Sequence, residues 1–315
     1  MALDLDLLSE RRYYEDHKAG IVEEFVQPVL GGARTVGVLS RPLGPSHPLG
    51  WVMCHSFGLE RLHLGRLDVL MARALSAAGF PVLRFDGQGY GDSERGMEAV
   101  GLTSHVSGVS DAVDLVAGLD GVRAVGLAGA RFGGTVASMV ATAKDVSSLI
   151  LIEPIIRGAQ FMREFVLSRV LSGLAGKGRD QADPAAIRQE LAERGWTDVN
   201  GFLLTRDAYE SISTLDLTRD VHAFSGRILL VGISRTGRAG VGLERLHRHL
   251  ESLGASCVVE IVRDQSAAQF GQFNFRTIDG GRGKADTRLE LDHTLARLAA
   301  SWSLAQLDRS AARLR

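Results

Sequence analysis

The sequence has 315 residues, 45% of them hydrophobic, and its 36 basic and 37 acidic residues leave a net charge of −1. That length can bury a large core, and the balanced charge excludes a general affinity for nucleic acid or acidic lipid. Cys54 and Cys257 lie in apolar runs, which indicates buried thiols in a reducing compartment. Met1 is followed by an acidic stretch, and no apolar run approaches the ~20 residues of a membrane span. We therefore expect a cytoplasmic protein with no signal peptide and no membrane partner.

Apolar strands alternate with amphipathic helices along most of the chain. Residues 1–20 are charged and predict a peripheral N-terminal segment. Two β-rich segments follow, joined through Gly31-Gly32, which is a hairpin signal. Beyond residue 50 the predicted strands are Trp51–His55, Pro81–Asp86, Ala124–Ala128, Ser148–Pro154, Arg227–Ile233 and Ser256–Val262. This alternation predicts an α/β fold with a mostly parallel sheet and helices on both faces.

Residues 155–225 break the alternation and predict a helical cap inserted into the sheet domain. The core then comprises residues 21–154 and 226–315. Within the cap, Phe161, Met162, Phe165 and Trp196 are apolar. They fit the wall of an apolar acyl pocket, with Phe161 and Phe165 touching substrate, although side chains at helical spacing more often form simply the core of the cap. Both interpretations stay open.

The chain is organised around Gly129–Gly134. This Gly-X-X-X-Gly turn follows the apolar run Ala124–Ala128 and precedes the helical stretch Thr135–Ala141. A strand, such a turn and a helix are typical of a nucleophile elbow, which holds one side chain at the top of a sheet. Here that residue is Arg131, whose permanently protonated guanidinium cannot attack a carbonyl.

Three motifs together resemble the α/β-hydrolase superfamily. They are Cys54–Gly58, Phe85–Ser93 and the elbow, in this order and spacing. The chain is most similar to the serine-aminopeptidase-like branch, and within it to the exosortase-associated hydrolases. Those relatives often place Arg at the elbow and end the next strand with an acid and a proline, as Glu153-Pro154 does here. The resemblance implies an α/β-hydrolase fold over residues 20–305.

The resemblance also implies a catalytic triad, and the sequence departs from it three times. A working member has Ser where this chain has Arg131. It has an acid in the loop that is 234–238 here, which contains none, and a His in the stretch that is 263–269 here, which also contains none. Acyl-enzyme chemistry of the serine type is therefore not expected.

A displaced triad would combine Ser56 or Ser93 with His293. Ser93 closes a glycine-rich turn, where a hydroxyl bonded to the backbone is ordinary. His293 falls in the last predicted helix. An esterase or thioesterase of this kind stays as an alternative.

The sheet order that the resemblance implies places His55, Arg131 and Glu153 side by side at the carboxyl ends of three strands. Asp86 lies one strand further out, and Glu60 follows the loop after His55. We expect Arg131 to anchor a carboxylate or oxyanion and His55 or Glu60 to move a proton, with Asp86 and Glu153 beside the ligand. The alternative is a structural ion pair from Arg131 to Glu153 or Glu60.

The backbone of the same loops supplies a second set of candidates. Backbone amides of Ser56 or Phe57 and of Phe132 are expected to remain as oxyanion donors. Such a site without a nucleophile suits binding or tautomerisation of a carbonyl compound better than hydrolysis.

Three functions remain open from the sequence. The first is an atypical enzyme for a carbonyl- or carboxylate-bearing small molecule, such as a biosynthetic acyl intermediate. The second is a non-catalytic protein that binds a ligand or partner, and the third is the esterase with a displaced triad. No cofactor is expected, and no metal, since His247 and His249 are two apart on a helix. A homodimer is left open. An enzyme predicts an open pocket under the cap, whereas a pseudoenzyme predicts a filled one with Arg131 paired inward.

Overall fold

The computed structural model describes residues 12–175, 184–265, 267, 270 and 282–313. Its strands are β1 (Tyr13–Asp16), β2 (Ile21–Val26), β3 (Val29–Leu30), β4 (Ala33–Arg34), β5 (Gly37–Pro42), β6 (Leu49–Cys54), β7 (Val82–Phe85), β8 (Ala124–Ala130), β9 (Ser148–Ile152), β10 (Trp196–Val199), β11 (Phe202–Thr205), β12 (Arg227–Ser234) and β13 (Ser256–Arg263). Its helices are α1 (Glu60–Ala77), α2 (Leu102–Ala117), α3 (Phe132–Val140), α4 (Gly158–Ala175), α5 (Pro184–Arg194), α6 (Arg206–Ser213), α7 (Leu217–Asp220), α8 (Val241–Ser252) and α9 (Arg282–Arg313).

Within these residues a nine-stranded sheet runs in the order β1-β2-β5-β7-β6-β8-β9-β12-β13. The six strands from β7 to β13 are parallel, whereas β1, β2 and β5 are antiparallel. The predicted mostly parallel α/β sheet is confirmed. So is the predicted adjacency of the elbow strand β8, which lies between β6 and β9, with β7 next to β6.

The central strands are apolar along their whole length because helices cover both faces of the sheet. Every residue of β6 and β9 is buried. One core packs under α2 and α3 around residues such as Leu127 and Val113, and the other packs under α1 and α9 around Trp51 and Met71. Because helices pack on both faces, the sheet is rigid, and the carboxyl ends of its strands are held in fixed positions.

Two segments differ from the sequence interpretation in their secondary structure. Residues 13–16 of the predicted peripheral segment form β1, which pairs with β2. The cap was expected to be helical, but it also contains the hairpin β10–β11, which reverses at Asn200-Gly201, both at positive φ. The buried–exposed alternation of β10 explains why its four residues gave no helical pattern. The domain limits themselves stay a prediction.

The elbow is a tight turn between β8 and α3. Arg131 has φ 51° and ψ −123°, a conformation that a non-glycine residue adopts only where its surroundings impose it. A Cβ atom on Gly133 would lie 1.9 Å from the carbonyl oxygen of Cys54, and one on Gly129 would lie 2.5 Å from the carbonyl carbon of Gly133. The glycines therefore let strand, turn and helix meet without a side chain between them.

Candidate functional site

Arg131 is held by a carboxylate from the first turn of α1. Its Nε donates to Glu60 Oε1 at 3.1 Å, and the two side chains are only 17% and 8% exposed. The ion pair that the sequence interpretation offered as the structural alternative is therefore present. It joins the elbow to the beginning of α1 and fixes the direction of the guanidinium.

The pair occupies only one edge of the guanidinium. Among the described residues, neither terminal nitrogen of Arg131 has a hydrogen-bond partner, and neither is fully buried. The terminal nitrogens carry the donors that bind a carboxylate in bidentate fashion. Arg131 is thus paired inward through Nε while its terminal nitrogens remain available.

Two carboxyls, those of Glu60 and Glu153, interact electrostatically with Arg131. Glu60 Oε2 is buried and without a partner, and burial raises the pKa of Glu60, an effect that Arg131 opposes and Glu164 of α4 reinforces. Glu153 stands at positive φ at the end of β9, where its Oε1 accepts the backbone N–H of Ile233 at 2.5 Å. Burial also raises the pKa of Glu153, again opposed by Arg131. Glu60 is thus the carboxyl bound to Arg131, and Glu153 ties β9 to β12.

Two backbone amides that the sequence predicted as donors have no acceptor. Within the described chain, no acceptor is found for the N–H groups of Phe57 and Phe132, whose rings lie 5.4 Å apart. The Ser56 hydroxyl instead donates to the carbonyl oxygen of Ala130 at 2.8 Å and is buried. The described residues therefore do not engage the two predicted amide donors, those of Phe57 and Phe132.

The interior under the cap is filled with aromatic side chains. Phe161 and Phe165 of α4 and Phe202 of β11 pack on Phe57 and Phe132, with ring centroids 5.2–6.2 Å apart. All five are at least nine-tenths buried. The predicted substrate-binding residues Phe161 and Phe165 are brought beside Phe57 and Phe132, but as packed rings.

His55 lies in a different environment from Arg131. Its ring packs against Tyr90 and His105 at 4.9 and 4.8 Å, and its Nδ1 is 3.0 Å from the carbonyl oxygen of Ser56, which favours the tautomer with the proton on Nδ1. Burial lowers the pKa of His55, and Arg61 adds to the effect, so the ring is neutral near pH 7. No hydrogen bond joins His55 to Arg131 in the described structure.

Asp86 and His55 border a cavity on the α1 side of the sheet. Asp86 forms an ion pair with Arg61 of α1, whose guanidinium lies 5.5 Å from the centre of the Tyr90 ring. The cavity measures about 450 Å³ and is bounded by α1, β5, β6 and β7. We call it the α1 cavity; its lining residues are Val36, Gly37, Val38, Met53, His55, Arg61, Leu62, Gly65, Arg66, Asp68, Arg84, Phe85 and Asp86.

In the described ranges, Ser56 and Ser93 bond to backbone groups and neither bonds to His293. Ser56 is bonded to Ala130, and the Ser93 hydroxyl accepts the N–H of Gly89 within its turn. His293 is exposed on α9, and no hydrogen bond from it to Ser56 or Ser93 is present in the described ranges. The sequence itself contains no histidine between His249 and His293.

Solved structures of esterases share the fold described above. Est1E from Butyrivibrio proteoclasticus, with ferulic acid bound, aligns with a TM-score of 0.62 at 18% identity over 90% of this chain and 99% of that chain. An esterase from Pyrococcus furiosus aligns at 0.54 and 12% identity over 89% and 92% of the two chains. A hyperthermophilic esterase from the archaeon Pyrobaculum calidifontis aligns at 0.52 and 16% identity over 89% and 86%.

Comparison with protein-family models and with curated sequences finds no match. Because these solved structures are only 12–18% identical to this chain, their similarity establishes the fold alone. No described helix is both long enough and apolar enough to cross a membrane. The chain has the α/β-hydrolase fold.

Sequence reasoning missed the charged lining of the α1 cavity. Arg84 lies inside the apolar strand β7, and Asp68 lies on the buried side of α1 next to Leu67. A charge inside an otherwise apolar strand or helix face was the signal available, because such groups are rarely buried without a partner. Asp68 and Arg84 come to line the same cavity only because α1 packs on β7.

Proposed function

We propose that this chain binds a carboxylate- or carbonyl-bearing small molecule at the elbow, with Arg131 as its anchor. The observation that carries the proposal is the division of the Arg131 guanidinium, whose Nε is fixed by Glu60 while its terminal nitrogens have no partner among the described residues. The unengaged amides of Phe57 and Phe132 add donors for a carbonyl oxygen. Among the branches of the superfamily, the sequence motifs favour a relationship to the serine-aminopeptidase-like hydrolases.

We further propose that any reaction here is proton transfer by Glu60 rather than acyl transfer to a serine. Glu60 combines a raised pKa with a buried oxygen, Oε2, that lacks a partner. A ligand donor would satisfy that oxygen, and a carboxyl whose pKa is raised by burial holds a proton more readily than an ordinary glutamate, so it can both give and take one. Isomerisation, lyase chemistry or hydrolysis without a covalent intermediate fits this arrangement.

A non-catalytic binding role is the second candidate, favoured by the packed aromatic rings under the cap. Phe57, Phe132, Phe161, Phe165 and Phe202 occupy the space where a substrate chain would extend. Binding at Arg131 would then serve recognition without turnover.

Calorimetric titration with a panel of aliphatic and aryl carboxylates and their methyl esters tests the binding. We expect Arg131→Gln to weaken the wild-type affinity roughly tenfold to a hundredfold, as loss of a charge-assisted bidentate contact does. Arg123→Gln is the matched control, because Arg123 is exposed at the amino end of the same strand β8. Equal binding by the Arg131 variant, or no binding by any member of the panel, would overturn the proposal.

Turnover of the same panel separates the candidates. Product formation that Glu60→Gln abolishes while binding persists supports proton transfer by Glu60. Binding without turnover supports the non-catalytic role. Labelling of the wild type by a fluorophosphonate probe at a serine would contradict both and favour the displaced triad.

A further inference from the structure

The α1 cavity holds one charged group that the protein does not pair. Asp68 of α1 is 9% exposed, lines the cavity, and makes no hydrogen bond or ion pair with any described residue. Its carboxyl oxygens are not among the fully buried atoms, so a molecule in the cavity can reach them. Buried polar groups in proteins are normally hydrogen-bonded, and buried charges are normally paired. Asp68 is therefore an acceptor left open towards the cavity.

The three arginines of the lining, in contrast, each have an acidic partner of their own. These ion pairs are Arg61–Asp86, Arg66–Asp292 and Arg84–Glu23. Arg61 and Arg84 also interact electrostatically with Asp68, yet burial outweighs them and raises the pKa of Asp68 to about 7. The charge of the lining that the protein leaves uncompensated is thus negative.

A second, neutral acceptor belongs to the same lining. His55 is buried, and its Nδ1 holds the proton that it donates to the carbonyl oxygen of Ser56 at 3.0 Å. Its Nε2 therefore carries a lone pair, has no partner among the described residues, and is not fully buried. Because burial lowers the pKa of His55, the ring adds no positive charge near pH 7. Two lining residues thus offer acceptors, which suit a ligand that donates hydrogen bonds.

The remaining walls set the ligand's size and polarity. Val36, Val38, Met53 and Phe85 supply apolar surface. A volume of about 450 Å³ falls in the range of small-molecule sites, which are mostly apolar with a few placed polar groups. This combination suits an amine that carries a short aliphatic or aryl group.

We propose that the α1 cavity is a second ligand site, which binds a small organic ammonium ion through the carboxylate of Asp68. The ammonium group donates to Asp68 and brings the positive charge that the lining lacks, while the apolar part of the ligand packs on the walls. A neutral donor would leave the Asp68 charge uncompensated, and an anion would be repelled by it. The site is independent of the elbow, since neither Arg131 nor Glu60 lines this cavity.

Calorimetric titration at pH 8 with benzylamine, benzyl alcohol and benzoate tests the site, because the three probes share a ring and differ in charge. We expect benzylamine to bind most tightly. Asp68→Asn keeps the size of the side chain and removes its charge, so it should weaken benzylamine binding roughly tenfold to a hundredfold. Asp114→Asn, which replaces an exposed acid on α2, is the control and should bind as the wild type does.

Gly65 allows the cavity to be filled while Asp68 is left in place. It lines the cavity from α1, and a Cβ atom added to it would have no atom within 4 Å. A leucine there has room to extend into the cavity, so Gly65→Leu should abolish benzylamine binding. The variant should melt no lower than the wild type, because leucine is the better helix former. Gly65→Ala adds one methyl group and should retain most of the binding.

Benzylamine binding should also depend on pH through Asp68. An alkylammonium ion stays charged between pH 6 and pH 8, whereas the ionised fraction of a carboxyl with a pKa of about 7 rises about tenfold. Wild-type affinity should rise by that factor, and the affinity of Asp68→Asn should not change. The titratable and charged groups around Asp68 are Arg61 and Arg66 on its own helix, Arg84 on β7, His55 and Asp86 at the strand ends, Arg288 and Asp292 on α9 and, through Arg84, Glu23 on β2.

Several outcomes would overturn the proposal. They are no binding of benzylamine to the wild type, benzyl alcohol or benzoate binding as tightly as benzylamine, and wild-type affinity in Asp68→Asn or Gly65→Leu. Thermal melting of each variant identifies loss of folding, and Asp68→Asn, which removes a buried charge, should melt no lower than the wild type at pH 8. Benzylamine binding that Arg131→Gln weakens and Asp68→Asn does not would place the amine at the elbow and likewise overturn the proposal.

Discussion

At the residue scale, the informative position is Arg131, in the turn between β8 and α3. Arg131 has φ 51°, a strained backbone conformation for a residue other than glycine. The turn fixes the position of the Arg131 backbone above the sheet, and the hydrogen bond to Glu60 fixes the rest of the side chain. The strained turn therefore orients donors rather than a nucleophile.

Substitution of Glu60 should show how far Arg131 depends on that partner. Glu60→Leu leaves a largely buried guanidinium unpaired and is expected to lower the free energy of unfolding by about 3 kcal/mol. Glu60→Gln retains an oxygen for Arg131 Nε and should cost roughly 1 kcal/mol. Urea unfolding of both variants measures the difference.

A double variant tests whether the loss comes from the unpaired charge. Replacing both partners, Arg131→Met with Glu60→Leu, should recover most of the loss, since an apolar pair of similar volume is often as stable as a buried ion pair. Equal losses in Glu60→Leu and Glu60→Gln would contradict the ion pair as the contact that holds Arg131.

At the element scale, close approach of strand and helix at the elbow makes Gly133 a structural requirement. A Cβ there would meet the Cys54 carbonyl at 1.9 Å, and both groups belong to backbone that is buried on all sides. Gly133→Ala should therefore lower the free energy of unfolding by more than about 3 kcal/mol.

Gly65 is the matched control, because it lies inside α1 and a Cβ added to it would have no atom within 4 Å. Gly65→Ala should raise the free energy of unfolding by about 0.5–1 kcal/mol, the usual helical preference for alanine. Urea unfolding of the two variants measures both effects. A Gly133→Ala protein as stable as the wild type would mean that the elbow backbone can separate from β6.

The elements themselves were largely predictable from the sequence, and their side-chain partners were not. The runs that became β6, β8 and β9 are apolar throughout, so their period and length identify them. The Arg131–Glu60 pair was one of two alternatives, because choosing Glu60 over Glu153 requires knowing where α1 begins relative to the elbow. The hairpin in the cap was missed because four-residue strands carry too little pattern.

At the scale of the whole molecule, the site residues divide between two places. Arg131 and Glu60 lie at the elbow, whereas His55 and Asp86 border the α1 cavity. Strand adjacency alone predicted one cluster, because His55, Asp86 and Arg131 follow parallel strands that are neighbours in the sheet and Glu60 begins the helix after the His55 loop. Side chains from adjacent strand ends can still face opposite sides of the sheet, and that direction depends on the local turn. The predicted residues therefore lie in two places at the same edge of the sheet, at the elbow and at the α1 cavity.

Buried carboxyls whose pKa is raised, such as that of Asp68, make the free energy of unfolding of the whole molecule depend on pH. The pKa of Asp68 is about 7 in the folded chain against 3.8 for an unperturbed aspartate. Because the folded value is the higher one, the stabilisation is complete below about pH 4 and is lost as pH rises through 7. At roughly 1.4 kcal/mol per pKa unit, the loss amounts to a few kcal/mol.

Urea unfolding of wild type and Asp68→Asn at pH 5 and pH 8 measures this loss. Between these values the wild type should lose a few kcal/mol more than the variant, which cannot ionise at that position. Glu60 and Glu153, whose pKa values burial also raises, contribute equally to both proteins and cancel in the difference. Asp114→Asn should follow the wild-type curve because the Asp114 side chain is 63% exposed. Parallel curves for the wild type and Asp68→Asn would mean that Asp68 titrates alike in the folded and unfolded chains.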